Sequence, residues 1–219
     1  MSKIPVYMMP GLGANPSIFE YIKLPDKYEI YWMHWIIPEQ DEKLPDYVSR
    51  LMLQIKHEQP VLLGVSFGGI VIQEIAKQMA VRKLVLISTV KTHREFPDFF
   101  EKALRYKLYK FFPSRALSYV DLLEKVAFIK SFKQKMKLYQ KYMDVNEPRY
   151  VDWAIKAVLH WQQEVPPKEF VHIHGDKDLV FPFKKIKSPV VKIEGGTHAM
   201  IVYRFRWFNR KLPELIEGI

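Results

Sequence analysis

The sequence predicts an α/β fold, doubly wound, in which a mainly parallel six-stranded sheet with flanking helices carries one helical insertion. Three observations lead there. Six apolar runs of strand length recur along the chain, separated by longer amphipathic stretches. The third run, residues 61–65, is apolar almost throughout, as a strand buried on both faces must be. About eighty residues with helical spacing separate the fourth and fifth runs, far more than a loop between neighbouring elements uses.

Taken in order, the expected strands cover residues 4–8, 28–33, 61–65, 83–87, 170–174 and 190–193. Helices are expected at 16–22, where Pro16 suits a first helical position, at 44–56, and at 68–79 directly after the third strand. A last helix should run from 199 to 217, disturbed near Pro213. Within the long gap, Pro97, Pro113 and Pro148 stand like helix starts, and Pro166-Pro167 closes it. The chain therefore divides into a core, residues 1–90 and 168–219, and a helical insertion, residues 91–167. Every connection is long enough for a right-handed crossover and none reads as a hairpin, so the sheet should be wholly parallel. There is no internal repeat or low-complexity tract.

The chain's 219 residues, 48% of them hydrophobic, suffice for one ordinary domain with a substantial core. No run of about 18 apolar residues occurs, so no transmembrane segment is expected. No basic, apolar, then small-residue leader precedes the first strand, so no signal peptide is expected either. The absence of cysteine excludes a disulfide framework, a thiolate nucleophile and a cysteine-held metal, and fits a cytoplasmic location. The net charge of +10 is uneven. Residues 1–90 balance, residues 91–145 carry +7, and residues 146–219 carry +3.

The stretch LLGVSFGGIVI, residues 62–72, places Ser66 where a strand-like run becomes a helix-like one. Serine suits neither interior. An ordinary hydroxyl is a weak nucleophile, and a catalytic one needs an adjacent base and access to substrate. The apex of a tight strand-to-helix turn supplies access, and Gly64 and Gly68 allow the turn to close. The helix that follows aims its N-terminal amides at any oxyanion formed beside the serine. The competing reading is a small-residue turn with an unremarkable hydroxyl.

After the first strand, MMPGLGAN lets the backbone approach a ligand, with the amide of Leu12 placed as a second oxyanion donor. A dinucleotide loop would also use paired glycines here. The third glycine of that fingerprint is missing, and the second strand ends in Met33-His34-Trp35 instead of at a ribose-binding acid. After the fifth strand, GDKDLVFP offers Asp176 and Asp178; after the sixth, EGGTHAM offers His198. All these segments follow strand carboxyl ends, where open α/β sheets build their sites.

In combination these motifs resemble the α/β-hydrolase family. GVSFGG is similar to its nucleophile elbow, GDKD with a later proline to its acid loop, and GGTH to its histidine loop. The resemblance covers residues 1–90 and 168–219 and implies the α/β-hydrolase fold with strand order 2-1-3-4-5-6 and a helical cap at 91–167. It implies Ser66 as nucleophile, His198 as general base and acid, and Asp178 as the orienting acid, with Asp176 left to cap the turn. It implies oxyanion donors at the amides of Leu12 and Phe67. Two departures stand out. Pro10 replaces a frequent histidine, and the first strand matches the family's third, so its leading antiparallel hairpin is not expected. A serine nucleophile also argues against haloalkane dehalogenase and epoxide hydrolase chemistry.

The resulting expectation is a cofactor-free serine hydrolase acting on a small-molecule acyl substrate, an ester or thioester, through an acyl-enzyme. The alternatives are a non-catalytic binding or regulatory protein with an idle triad, and a C–C hydrolase or perhydrolase using the same residues. His172 and His174 share one strand face, as a metal pair would, but no third ligand is evident, so no metal is expected. His93, Asp152 and His160 read as surface or packing residues. The basic stretch 99–143 interleaves aromatics with lysines. It reads as cap helices with solvated charged faces, and its charge also suits an anionic substrate or peripheral contact with a lipid surface. No nucleic-acid recognition module is present.

Overall fold

The computed structural model describes residues 3–106 and 141–218. The central stretch of the insertion, with Pro113 and most of the basic run 99–143, lies outside the described residues. The strands are β1 (Ile4–Met9), β2 (Tyr28–Trp32), β3 (Val61–Val65), β4 (Lys83–Ile87), β5 (Phe170–Gly175) and β6 (Val191–Ile193). They form one sheet of order β2-β1-β3-β4-β5-β6 with every neighbouring pair parallel. The described helices are α1 (Leu44–Leu51), α2 (Phe67–Gln78), α3 (Asp98–Arg105), α4 (Pro148–His160), α5 (Met200–Tyr203) and α6 (Phe205–Glu217).

Strand periodicity divides the core into two layers. Tyr7, Met9, Leu62, Leu84 and Leu86 face one side and pack with α1, α2 and α4. Val6, Met8, Leu63, Val65, Val85, Ile87 and Ile173 face the other and pack with α5 and α6. Helices therefore cover both faces, and each fully buried leucine or valine contributes roughly 1.5–3 kcal/mol through removal from water.

Three helical expectations shift. Residues 16–22 form only a 3-10 turn, Pro16–Phe19, opened by Asn15, whose side chain accepts from the Ser17 N–H. Residues 44–56 are helical only to Leu51, followed by a 3-10 turn, Met52–Gln54. Beyond that turn the Lys56 N–H donates to the hydroxyl of Tyr7, on β1, at 2.9 Å. The last helix breaks at Arg204, not at Pro213, which lies within α6. Burial of Phe208, Leu212 and Ile216 on one face of α6 offsets the proline's lost hydrogen bond. Of the other expected helix starts, Pro97 caps α3 and Pro148 opens α4.

Candidate active site

The sheet register aligns Met9 with Gly64, Val65 with Ile87, and Gly175 with Ile193. The segments that follow β1, β3, β5 and β6 thus emerge at one edge, and each carries an expected site residue. Ser66 is the single residue between β3 and α2, with φ 54° and ψ −120°. A side-chain-bearing residue in that region costs on the order of 1–3 kcal/mol, so its surroundings must enforce it. They do: the Ser66 N–H donates to the Ile87 carbonyl at 3.0 Å. The Ser66 carbonyl accepts from the Gly69 N–H at 2.9 Å and from the Thr89 hydroxyl at 2.7 Å. A Cβ on Gly64 would stand 2.4 Å from the Gly68 carbonyl oxygen, and one on Gly68 2.3 Å from that of Pro10. Both contacts are impossible, which accounts for the two glycines.

His198 Nε2 lies 2.9 Å from Ser66 Oγ, and its Nδ1 lies 2.9 Å from Asp178 Oδ2. Asp178 Oδ1 accepts the N–H groups of Val180 and Phe181, each at 2.9 Å. The Asp178 side chain is fully buried, whereas His198 is 17% exposed. Burial works to raise the Asp178 carboxyl. The charge and hydrogen bond of His198, the His174 ring and the Phe181 N–H outweigh it, holding the group below the usual carboxylate range. Asp176 does something different: its Oδ1 accepts the Gly195 N–H at 2.7 Å, tying the acid loop to the histidine loop. The two loops touch so closely that a Cβ on Gly175 would stand 2.1 Å from the Gly196 carbonyl oxygen.

The loop after β1 abuts the serine, since a Cβ on Gly11 would lie 3.4 Å from Ser66 Cβ. Phe67 opens α2, so its N–H has no intrahelical acceptor by position. Leu12 sits in the turn closed by the Ala14 N–H donating to the Gly11 carbonyl at 3.0 Å. Two anchors fix this loop. The Asn15 and Val145 N–H groups donate to the carbonyls of Tyr142 (2.8 Å) and Gly13 (3.1 Å), joining it to the segment that precedes α4. Trp35 Nε1–H donates to the Gly11 carbonyl at 3.1 Å, while its ring stacks on Phe67 at 5.2 Å and 8°. Sequence reading did not single out Trp35 for this; an aromatic just beyond a strand's carboxyl end was its only mark.

His172 and His174 stand side by side on β5. Every ring nitrogen of the two faces a protein group, and no cluster of three metal-ligating side chains occurs among the described residues. Also missed was the burial of Lys91 and Glu95, each 1% exposed and paired at 2.7 Å. His93 bonds the Gln163 carbonyl, His160 the Lys156 carbonyl, and Asp152 is half-buried on α4.

No family model matches the chain, and no curated protein matches it significantly. Solved structures do resemble it. A malate-bound thermophilic esterase from Thermogutta terrifontis superposes with TM-score 0.71 at 15% identity, covering 99% of this chain and 90% of its own. An esterase from Exiguobacterium antarcticum gives 0.69 at 19% identity, covering 99% and 92%. A bromoperoxidase from Bacillus anthracis gives 0.69 at 18% identity, covering 100% and 93%. Together with the parallel sheet and its flanking helices, these likenesses establish that the chain has the α/β-hydrolase fold.

Proposed function

We propose that the protein is a serine hydrolase that cleaves an ester or thioester of a small acyl substrate through a Ser66–His198–Asp178 triad. One observation carries the reading: Ser66, on a strained backbone, stands 2.9 Å from an imidazole whose other nitrogen stands 2.9 Å from a buried carboxylate. That strain is costly for an idle hydroxyl and useful for a nucleophile that must project from its turn.

In this mechanism Ser66 Oγ attacks the acyl carbonyl as His198 Nε2 takes its proton. The amides of Leu12 and Phe67 stabilise the oxyanion. The tetrahedral species collapses, and His198 passes the proton to the leaving oxygen or sulfur. Water then attacks the acyl-enzyme by the same route and frees the acid. Asp178 holds the imidazole with its proton on Nδ1 and stabilises the imidazolium. Residues 91–167 act as the cap over the triad edge, and residues 1–90 and 168–219 as the hydrolase core. The cap's positive charge attracts anionic or lipid-like substrates, or a lipid surface. The setting is cytoplasmic, in line with the cysteine-free composition; no described helix is long and apolar enough to cross a membrane.

A fluorophosphonate probe tests the nucleophile, and panels of p-nitrophenyl esters and acyl-CoA thioesters identify the leaving group. The wild-type protein should label and turn over, with Ser66→Ala unlabelled and about 10³-fold or more slower. Labelling or turnover that survives Ser66→Ala would remove Ser66 from the mechanism, and a wild type that never labels would favour a binding protein.

A further inference from the structure

A chain of buried polar side chains runs from Lys91 to Asp178. Lys91 Nζ donates to Glu95 Oε1 at 2.7 Å, to the Lys187 carbonyl at 2.6 Å, and to His172 Nδ1 at 3.0 Å. These three bonds use all three ammonium protons. His172 Nε2 faces the Thr89 carbonyl at 3.0 Å and His174 Nδ1 at 3.3 Å. His174 Nε2 faces the Phe181 carbonyl at 2.8 Å and Asp178 Oδ2 at 3.3 Å.

The carbonyls settle the proton positions. A carbonyl oxygen only accepts, so both Nε2 atoms carry hydrogen, and in a neutral ring each Nδ1 is then an acceptor. Burial is the main force against protonating either ring, lowering His172 well below the ordinary histidine range and His174 below it. All donors in the chain therefore point one way: from Lys91 to His172, from His172 to His174, and from His174 to the Phe181 carbonyl beside Asp178. Phe181 completes the arrangement. Its carbonyl accepts from His174, its N–H donates to Asp178 Oδ1, and its ring stands edge-on to His198 at 5.6 Å.

We propose that His174 is a positioning residue for the triad: its Nε2–H, donated to the Phe181 carbonyl, holds the acid loop around the Asp178 carboxylate, and the Lys91–His172 chain fixes it in the tautomer that does so. This rests on reading Ser66, His198 and Asp178 as a working triad. The ionisable groups in or against the chain are Lys91 and Glu95 after β4, His172 on β5, and Asp178 and His198 in the two loops. Removing the Nε2–H donor leaves Asp178 more loosely held and its charge less neutralised. The imidazolium of His198 is then favoured, and the free base appears only at higher pH.

The test compares His174→Phe, which keeps a ring without a donor, with His174→Gln, whose amide nitrogen replaces Nε2–H. Fluorophosphonate labelling rates are followed over about pH 5–9, where histidine-dependent steps titrate. His174→Phe should label about 10–100-fold more slowly, the usual scale for losing an outer-shell partner. Its acid limb should move to higher pH, and kcat for a p-nitrophenyl ester should fall with KM little changed. His174→Gln should recover most of the rate. A wild-type rate and pH profile in His174→Phe would overturn the proposal, and equal losses in both variants would reduce His174 to packing. A wild type that does not label would fail the triad reading, and this proposal with it. Nitrogen-15 spectra of histidine-labelled wild-type protein give a check independent of variant folding. Where its ring is neutral, His174 should be the Nε2–H tautomer, and an Nδ1–H ring would refute the assignment.

Discussion

Replacing Asp178 by asparagine changes one oxygen into an NH2 group, and its surroundings dictate where that group goes. Oδ1 accepts two backbone N–H groups at 2.9 Å, so the amide oxygen must stay there. The NH2 then occupies the position of Oδ2, 2.9 Å from His198 Nδ1 and 3.3 Å from His174 Nε2. As a donor, it forces His198 to accept at Nδ1 and move its proton to Nε2. That nitrogen then meets Ser66 Oγ as a donor and has no lone pair to take the serine proton. The expected loss is 10²–10⁴-fold in kcat, or about 3–5 kcal/mol of transition-state stabilisation. Facing the His174 donor with another adds a folding cost of about 1–3 kcal/mol. Asp176→Asn should be nearly silent, because its acceptor role towards the Gly195 N–H survives in an amide. Both variants should be assayed side by side at fixed pH, for turnover of a p-nitrophenyl ester and for urea midpoint. Activity within threefold of wild type in Asp178→Asn, or a reversed ranking, would assign the acid to another residue.

Trp35→Phe keeps a ring near Phe67 but deletes the donor to the Gly11 carbonyl; kcat should fall about 3–10-fold, the scale of one hydrogen bond, with the melting temperature barely changed. Gly68→Ala places a Cβ against two backbone carbonyls, at 2.3 Å from Pro10 and 2.5 Å from Met9. It should cost about 3 kcal/mol or more in denaturant titrations, and slow labelling as well. Because folding lowers the Asp178 pKa, its ionised form stabilises the fold above the unfolded value of about 3.9, and that contribution disappears as pH falls through the folded value. Urea midpoints of the wild type should therefore fall more steeply below about pH 4 than those of Asp178→Asn. The +7 charge of residues 91–145 predicts that anionic vesicles or acyl anions bind more weakly as salt rises, while equal affinity for neutral and anionic analogues at low salt would leave the charge a role in solvation only.

The strands were legible to within a residue; in β3 and β4, which match their expected bounds, burial on both faces leaves continuous apolar runs. Helix ends were less so. The break at Arg204 separates α5 from α6, and no local residue announces it. Ser66, Asp178 and His198 were legible because each follows a strand's carboxyl end within a recognisable turn, and the fold brings them within hydrogen-bonding distance. Lys91 was not. Beside Thr92, His93 and Arg94 it looks like a solvated charge, yet its ammonium meets His172, 81 residues further along. A buried partner so distant in sequence leaves no local pattern.

The left-handed backbone at Ser66 carries one more consequence. Glycine alone occupies φ 54° and ψ −120° comfortably, so the fold would be more at ease with glycine at position 66. A screen that rewards heat resistance alone would then favour discarding the hydroxyl first, and any stabilised lineage of this chain needs a chemical readout to keep it.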